Sequence, residues 1–503
     1  MARIQNDWKI RAALAAIVLA LPLAAAGGTL AERIGQLIDA SPEARAAFWG
    51  IEVVDLASGQ TLAEVNSARD FVPASNTKLF TTALALTRLG PDFTFQTRVL
   101  TATAPDAEGR IAGDVRLVGG GDPNLSPRPI PFRQGAYSGD PLTAIDALAA
   151  QIAERGVTRI DGNVIGDDTW YVWEPYGPGW SLDDPQYDYG APVSALTIND
   201  NVQTLSIRPG ARAGDAAVFT LNPPLAYYTL ENRIRTTAAG PRAIHFQRSA
   251  ASRTAQLWGT IPLKDPGEDI AMGINDPALF AAMALRQALE DRGIAVAGIA
   301  EARHLDPEDV PDLTEGPAPA PEGGIELARR VSAPLLEDLR ITDKVSQNLH
   351  AEMALRAVGR ARRNVGSREA GLAELQAFLD EIGIDPTEIA INDGSGLSRM
   401  NLVTPAAVVQ LLRHMYQSPA RDQWISLLPV GGQDGTLNTR FANTGLAGHI
   451  HAKTGTVAHV SALSGYIEKP GGWVAFSILV NNFNGRAGEI RKVMDDICSL
   501  IME

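Results

Sequence analysis

The stretch Ser75-Asn76-Thr77-Lys78-Leu79-Phe80-Thr81-Thr82-Ala83-Leu84-Ala85-Leu86 follows Pro73-Ala74 and runs, strongly apolar, toward Gly90-Pro91. Ser is favoured at a helix start, Pro73 suits an entry turn and Gly90-Pro91 is a stop, so the pattern predicts a helix. Ser75 and Lys78, three residues apart, then share one face and reach each other. A neutral lysine amine can accept the serine proton and make the oxygen nucleophilic. Lysine's ordinary pKa of about 10.4 must fall for this, which burial and a neighbouring cation bring about. The pair alone is weak evidence: with seven lysines in 503 residues, chance supplies Ser-x-x-Lys in roughly one such chain in three.

Lysine is scarce here, seven of 44 basic residues, so a lysine inside a second motif carries weight. His451-Ala452-Lys453-Thr454-Gly455-Thr456 reads as a strand on which Gly permits close approach of a substrate or another backbone, with Lys and Thr alternating faces. Lys344-Val345-Ser346-Gln347-Asn348 lies in a helical stretch, where Ser346 and Asn348 suit a helix entry or loop facing a cleft.

Outward from these motifs, residues 29–40 read as a helix and 48–56 and 61–65 as strands. From about 94 to 270 the texture turns to short alternating segments broken by Gly, Pro and Asn, with one helix at 144–155. Residues 276–293 form an amphipathic helix, and helices dominate until a hairpin at 460–468 and 473–481 and a closing helix at 487–502. Strands and helices at both ends imply one α/β catalytic core made from residues 29–93 and 271–503, with 94–270 inserted as two subdomains. The Pro- and acid-rich segment 305–324 reads either as a domain linker or as a long surface loop.

In order and composition the three motifs resemble the Ser-x-x-Lys, Ser-Asp-Asn and Lys-Thr-Gly set of the penicillin-recognising serine acyl-transferases. Within that superfamily the wide gap before the second motif is similar to the D-alanyl-D-alanine carboxypeptidase/endopeptidase family of the penicillin-binding protein 4 type. Gly120-Gly121-Asp122-Pro123, Asp161-Gly162-Asn163-Val164, Asn392-Asp393-Gly394-Ser395-Gly396-Leu397-Ser398-Arg399 and the run Leu428 to Leu437 extend the likeness over nearly the whole chain. The resemblance implies a β-lactamase/transpeptidase-like core, an antiparallel sheet flanked by helices, carrying the strand-rich insertion. It implies Ser75 as nucleophile, Lys78 as base, Ser346 as proton relay, Asn348 as holder of Lys78 and the substrate amide, and Lys453 as source of positive potential. Thr454 would bind a substrate carboxylate, Gly455 would admit the substrate, and the amides of Ser75 and Thr456 would form the oxyanion hole. Gln347 stands where the family usually has Asp. Arg399 with Asp167, or alternatively Asp168, would receive the ends of a diaminopimelate-type side chain; a surface salt bridge is the other reading of Arg399.

The implied substrates are peptidoglycan peptides, with β-lactams as covalent inhibitors and neither cofactor nor metal. His449 and His451 share a strand face, but no third ligand is evident. The net charge of −14 argues against nucleic acid. Arg3, Lys9 and Arg11 before an apolar run ending in Ala24-Ala25-Ala26 read as an export signal over residues 1–26, cleaved or kept as an anchor, and hence a periplasmic or extracytoplasmic protein. The single Cys498 allows no intrachain disulfide and reads as a buried small hydrophobe. Trp170, Tyr171, Trp173, Tyr176, Trp180, Tyr187 and Tyr189 would either wall the substrate site or pack the insertion on the core. Two rival functions remain at this stage. A β-lactamase of the same fold would want a deacylating Glu in a Glu-x-x-Leu-Asn segment, which the chain lacks; a non-catalytic cell-wall-binding or sensor protein would not need Ser75, Lys78 and Lys453 together.

Overall fold

Strands Phe48–Asp55 and Gly472–Asn481 pair antiparallel along their length, Phe48 opposite Asn481 and Asp55 opposite Val474. This ladder, in a computed structural model that describes residues 28–135, 139–318 and 323–503, joins the two ends of the chain. The signal-like segment 1–26 lies outside the described residues. Thr61–Val65 completes the sheet on one side, and Val460–Lys469 and then Ile450–Val457 complete it on the other, all antiparallel. The hairpin strands are buried almost end to end because both faces are covered and successive side chains serve opposite layers. Leu463, Ile467, Phe476 and Ile478 pack with helices Leu30–Ala40 and Ala487–Met502, where burial pushes the Cys498 thiol pKa up and leaves it a structural hydrophobe. Ala462, Tyr466, Ala475 and Leu479 face the opposite layer, built from helices Thr77–Leu89, Leu335–Lys344, Asn348–Arg363 and Pro405–Gln417.

The region between these layers is strand-rich as expected, but its boundary is not at residue 270. Ala300–Leu305 pairs parallel with Val164–Val172, and Ile325–Val331 pairs antiparallel with Gln96–Thr101, so the chain re-enters the helical layer only at Leu335. Helix Pro277–Glu290 has the apolar periodicity of a core helix, but its core is the insertion's own: Phe280 and Leu285 pack with Leu117, Ile145 and Leu205. One buried cluster also runs from that mixed five-stranded sheet into the two three-stranded sheets of residues 202–273, where two separate subdomains were expected. The segment after Leu305 crosses from one edge of the five-stranded sheet to the other. In its described part Val310 and Leu313 pack on Val172, Val365 and Ala370, and the Gly316 amide donates to the Arg363 carbonyl at 2.8 Å, which is the surface-loop reading. No helix among the described residues is long and apolar enough to cross a membrane.

Candidate active site

Ser75 sits on a single 3-10 turn, Ala74–Asn76, and the α-helix begins at Thr77. The sequence suggested that Ser75 starts this helix, but the cap position of the α-helix is Asn76. The Ser75 hydroxyl lies 2.9 Å from the Nζ of Lys78. The lysine is wholly buried in the first helical turn and makes two more contacts, 2.6 Å to the Asn348 side-chain oxygen and 2.6 Å to the Ser395 carbonyl. Asn348 Nδ2 donates to the Tyr189 carbonyl at 2.8 Å, which fixes the amide orientation and turns its oxygen to Lys78. Burial holds the Lys78 pKa well below its ordinary value, and the charge of Lys453 lowers it further. A neutral NH2 group has two N–H donors and one lone pair. In that neutral form Asn348 and Ser395 take the two donors, and the lone pair is left for the Ser75 O–H.

Lys453 is also fully buried, and burial brings its pKa down to about 8. Its ammonium donates to the Ser346 hydroxyl at 2.8 Å and the Thr454 carbonyl at 2.9 Å. Asn76 Nδ2 donates to the Lys453 carbonyl at 3.0 Å, tying the strand to the turn that carries Ser75. The approach there is so close that a Cβ on Gly455 would lie 2.7 Å from the Pro73 carbonyl oxygen and 3.1 Å from the Ser75 amide nitrogen, so only glycine fits. Thr454 Oγ1 pairs with Thr436 Oγ1 at 2.8 Å, while Thr456 is exposed at the lip. The second motif lies at a break between helices Leu335–Lys344 and Asn348–Arg363, not inside a helix, and Ser346 adopts a left-handed backbone with φ 62°. Thus three chain segments bring Ser75, Lys78 and Asn348 into one hydrogen-bonded group and Ser346 and Lys453 into a second, and the charge of Lys453 acts on Lys78 between them.

Several supporting residues carry no motif signal. The Asp393 carboxylate accepts from the amides of Gly396 at 2.9 Å and Ser398 at 2.7 Å, from Asn401 Nδ2 at 2.7 Å and from Trp180 Nε1 at 2.9 Å. Glu352 accepts from the amides of Gly394 and Ser395 at 2.9 and 2.8 Å. Together they fix the loop whose Ser395 carbonyl aims Lys78. Asp343, buried beside Thr82 Oγ1 at 3.0 Å, has its carboxyl pKa raised by burial and opposed by Lys453 and Lys78. The Asn392–Arg399 run, noted only as a supporting likeness, is the trace by which sequence could have found this loop. Lys344 is drawn away from the site to Asp434, at 2.6 Å, and the Leu428 carbonyl, at 2.7 Å.

Arg399 is exposed at the rim, its amide donating to the Gly179 carbonyl at 3.3 Å. The structure does not bring Asp167 to it. That carboxylate is 1% exposed and is held by Arg116 at 3.0 Å and Arg303 at 3.3 Å across the insertion's sheet. Asp168, the alternative, is held by His304 at 2.9 Å and Ser194 at 2.8 Å. Both sit on a strand whose inward positions demand paired charges. The carboxylate within electrostatic reach of Arg399 is Asp184; burial raises its pKa, and the Ser181 amide and the Arg399 charge oppose that rise. The aromatic segment divides its work. Trp170 lies 4.0 Å under the Arg360 guanidinium and packs the insertion on the core, Trp173 stacks on His304 at 4.2 Å within the insertion, and Trp180 and Tyr189 reach the site through Asp393 and Asn348. His451 lies 5.5 Å from the Trp473 ring, and among the described residues no group of His, Cys, Asp and Glu gathers as metal ligands.

This geometry can be set against known proteins. A D-alanyl-D-alanine carboxypeptidase of Actinomadura sp. (strain R39) is 36% identical over 481 residues, 92% of this chain and 84% of that one. The crystal structure of penicillin binding protein 4 from Haemophilus influenzae superposes with a TM-score of 0.79 at 21% identity, covering 93% of this chain and 99% of that one. The same protein complexed with a novel β-lactam gives 0.75 at 20% identity, with 94% and 99% covered. These two structures share the fold: an antiparallel sheet flanked by helices with a strand-rich insertion. With the D-Ala-D-Ala carboxypeptidase 3 (S13) model matching residues 30–500, the chain belongs to that family of serine-type D-Ala-D-Ala peptidases.

Proposed function

We propose that Ser75 cleaves the D-alanyl bond of peptidoglycan stem peptides and cross-links through an acyl-enzyme. The observation that carries this reading is the setting of the buried Lys78 Nζ, 2.9 Å from the serine oxygen and 2.6 Å from each of two acceptors, Asn348 Oδ1 and the Ser395 carbonyl. Ser75 Oγ bonds to the D-alanyl carbonyl carbon as its proton passes to Lys78, and the tetrahedral oxygen takes the amides of Ser75 and Thr456. The C–N bond then breaks, and the proton reaches the leaving amine through Ser346, whose hydroxyl is held by the Lys453 ammonium. Lys453 and Thr454 face the leaving group's carboxylate. Water, deprotonated by Lys78, attacks the ester and frees Ser75. In a β-lactam the leaving amine stays tethered to the acyl group, so the intermediate persists. Peptidoglycan lies outside the cytoplasm, and the charged, apolar, small-residue order of residues 1–26 fits export.

Purified protein incubated with labelled penicillin will carry one label, on the peptide containing Ser75, and will release D-alanine and uncross-linked fragments from peptidoglycan. Absence of both label and product contradicts the reading.

The exposed Arg399 and the buried Asp184 offer opposite charges for the carboxyl and amino groups of a diaminopimelate-type side chain. Arg399→Ala is expected to lower kcat/KM for such a stem peptide about 10- to 100-fold while penicillin acylation, which lacks that side chain, changes less than about threefold. Equal losses for both substrates contradict the pocket.

A further inference from the structure

Gln347, between Ser346 and Asn348, is held at both ends. Its side-chain oxygen accepts from the Leu349 amide at 2.9 Å, capping helix Asn348–Arg363, and its Nε2 donates to Asp200 Oδ2 at 2.8 Å. Asp200 belongs to the inserted region and stands in a run of three left-handed residues, Asn199, Asp200 and Asn201, with φ of 49, 56 and 54°. Such a run persists only where its surroundings over-determine it. Here Asn201 Nδ2 donates to the Pro192 carbonyl at 2.9 Å, Asn199 Nδ2 to the Val202 carbonyl at 2.9 Å, and the Asn199 amide to the Leu125 carbonyl at 3.1 Å. The same carboxylate pairs with Arg128 and lies 3.2 Å from His350 Nε2, whose other ring nitrogen is 2.7 Å from Asp338. A cavity of about 470 Å³ opens beside this junction, lined by Arg128, Tyr189, Asp200, Ser346, Gln347 and Asn348 among others.

We propose that Asp200 is a positioning residue for the reaction: from the inserted region it clamps Gln347, and so fixes Ser346 and Asn348 on either side. Ser346 has a strained left-handed backbone, and Asn348 must keep its oxygen on Lys78. A residue between them that is pinned at one end only leaves both free to rotate. The clamp also accounts for Gln at a position where related enzymes usually carry Asp, since an aspartate there has no donor for Asp200 and the wrong charge beside it. The insertion thereby does part of the work of the catalytic layer.

This inference rests on the acyl-enzyme reading above. The test is the second-order rate of penicillin acylation in Gln347→Glu, Asp200→Asn and the double variant, with melting temperatures alongside. Gln347→Glu keeps the cap acceptor and places an anion at a helix N-terminus, so a role in capping alone predicts no loss. The clamp predicts a fall of about 10- to 100-fold for each single change and recovery to within about threefold of the original in the double, where an amide again meets a carboxylate. Singles within about twofold of the original, or a double as slow as the product of the singles, overturn the clamp. Should Asp200→Asn fail to fold after losing its ion pairs, Gln347→Met takes its place: slowing with a melting temperature equal to that of the original supports the clamp, and unchanged acylation overturns it. An original protein that takes no label overturns the acyl-enzyme reading, and the clamp with it.

Discussion

Lys78→Ala will fold and will be inert. Penicillin acylation and D-alanine release are expected to fall by about 10³- to 10⁴-fold or more, as completely as in Ser75→Ala, because nucleophile and base act as a unit and losing either removes the step. Raising the pH will not restore activity, since Lys78 is the base hydrogen-bonded to the serine oxygen among the described residues. Lys78→Arg will be equally inactive: a guanidinium does not give up its proton at any working pH and carries no lone pair for the Ser75 hydroxyl. The fold survives because burial already disfavours the charged form of Lys78, so its loss removes no strongly held ion pair. Its removal leaves the Ser395 carbonyl and the Asn348 oxygen short of a donor, a cost of about 1–3 kcal/mol each, which lowers the melting temperature by several degrees without unfolding the protein. Acylation above about a hundredth of the original rate in Lys78→Ala would show that another group deprotonates Ser75.

The meeting of Ser75 with Lys78 and the buried place of Lys453 could be read in sequence because they depend on local spacing. Ser75 and Lys78 are one helical turn apart, Lys453 precedes a hairpin with clean alternation, and in a lysine-poor chain both lysines stand out. The element bounds followed for the same reason: Thr61–Val65 and Ala487–Met502 end where turn residues and period changes put them. What failed was long-range. Helix Pro277–Glu290 has the periodicity of any buried helix, and nothing in its sequence says which sheet it covers. Asp167 and Asp168 looked free because Arg116, Arg303 and His304, which hold them, come from different strands brought together by the sheet. Asp184, Glu352, Asp343 and Asp200 matter through burial and partners far away in the chain, which no spacing rule records. The departure at Gln347 was visible, but its partner Asp200, 147 residues earlier, was not.

Lys453→Met is expected to slow acylation about 100- to 1000-fold and to change its pH dependence at both ends. In the original protein two amines must differ in charge at once: Lys78 neutral to take the serine proton, Lys453 charged to hold Ser346 and attract a carboxylate. Activity therefore rises as Lys78 loses its proton and falls as pH passes about 8, where Lys453 loses its own. Asp393, Asp343 and Glu352 favour protonation of Lys78, so removing the Lys453 charge leaves burial alone to oppose them. The variant's acid limb will move to higher pH, and its alkaline limb near 8 will vanish. Stability moves in the opposite sense. The folded Lys453 binds its proton less tightly than the unfolded one, 8 against 10.5, so between those values the unfolded chain holds more protons and stability rises with pH. Below about pH 8 the whole cost of burying the charge is present, on the order of 3 kcal/mol. Melting temperatures from pH 7.5 to 10 should thus climb for the original relative to Lys453→Met over the same range in which its activity declines. Parallel melting curves for the two proteins would remove the charged Lys453 from the mechanism.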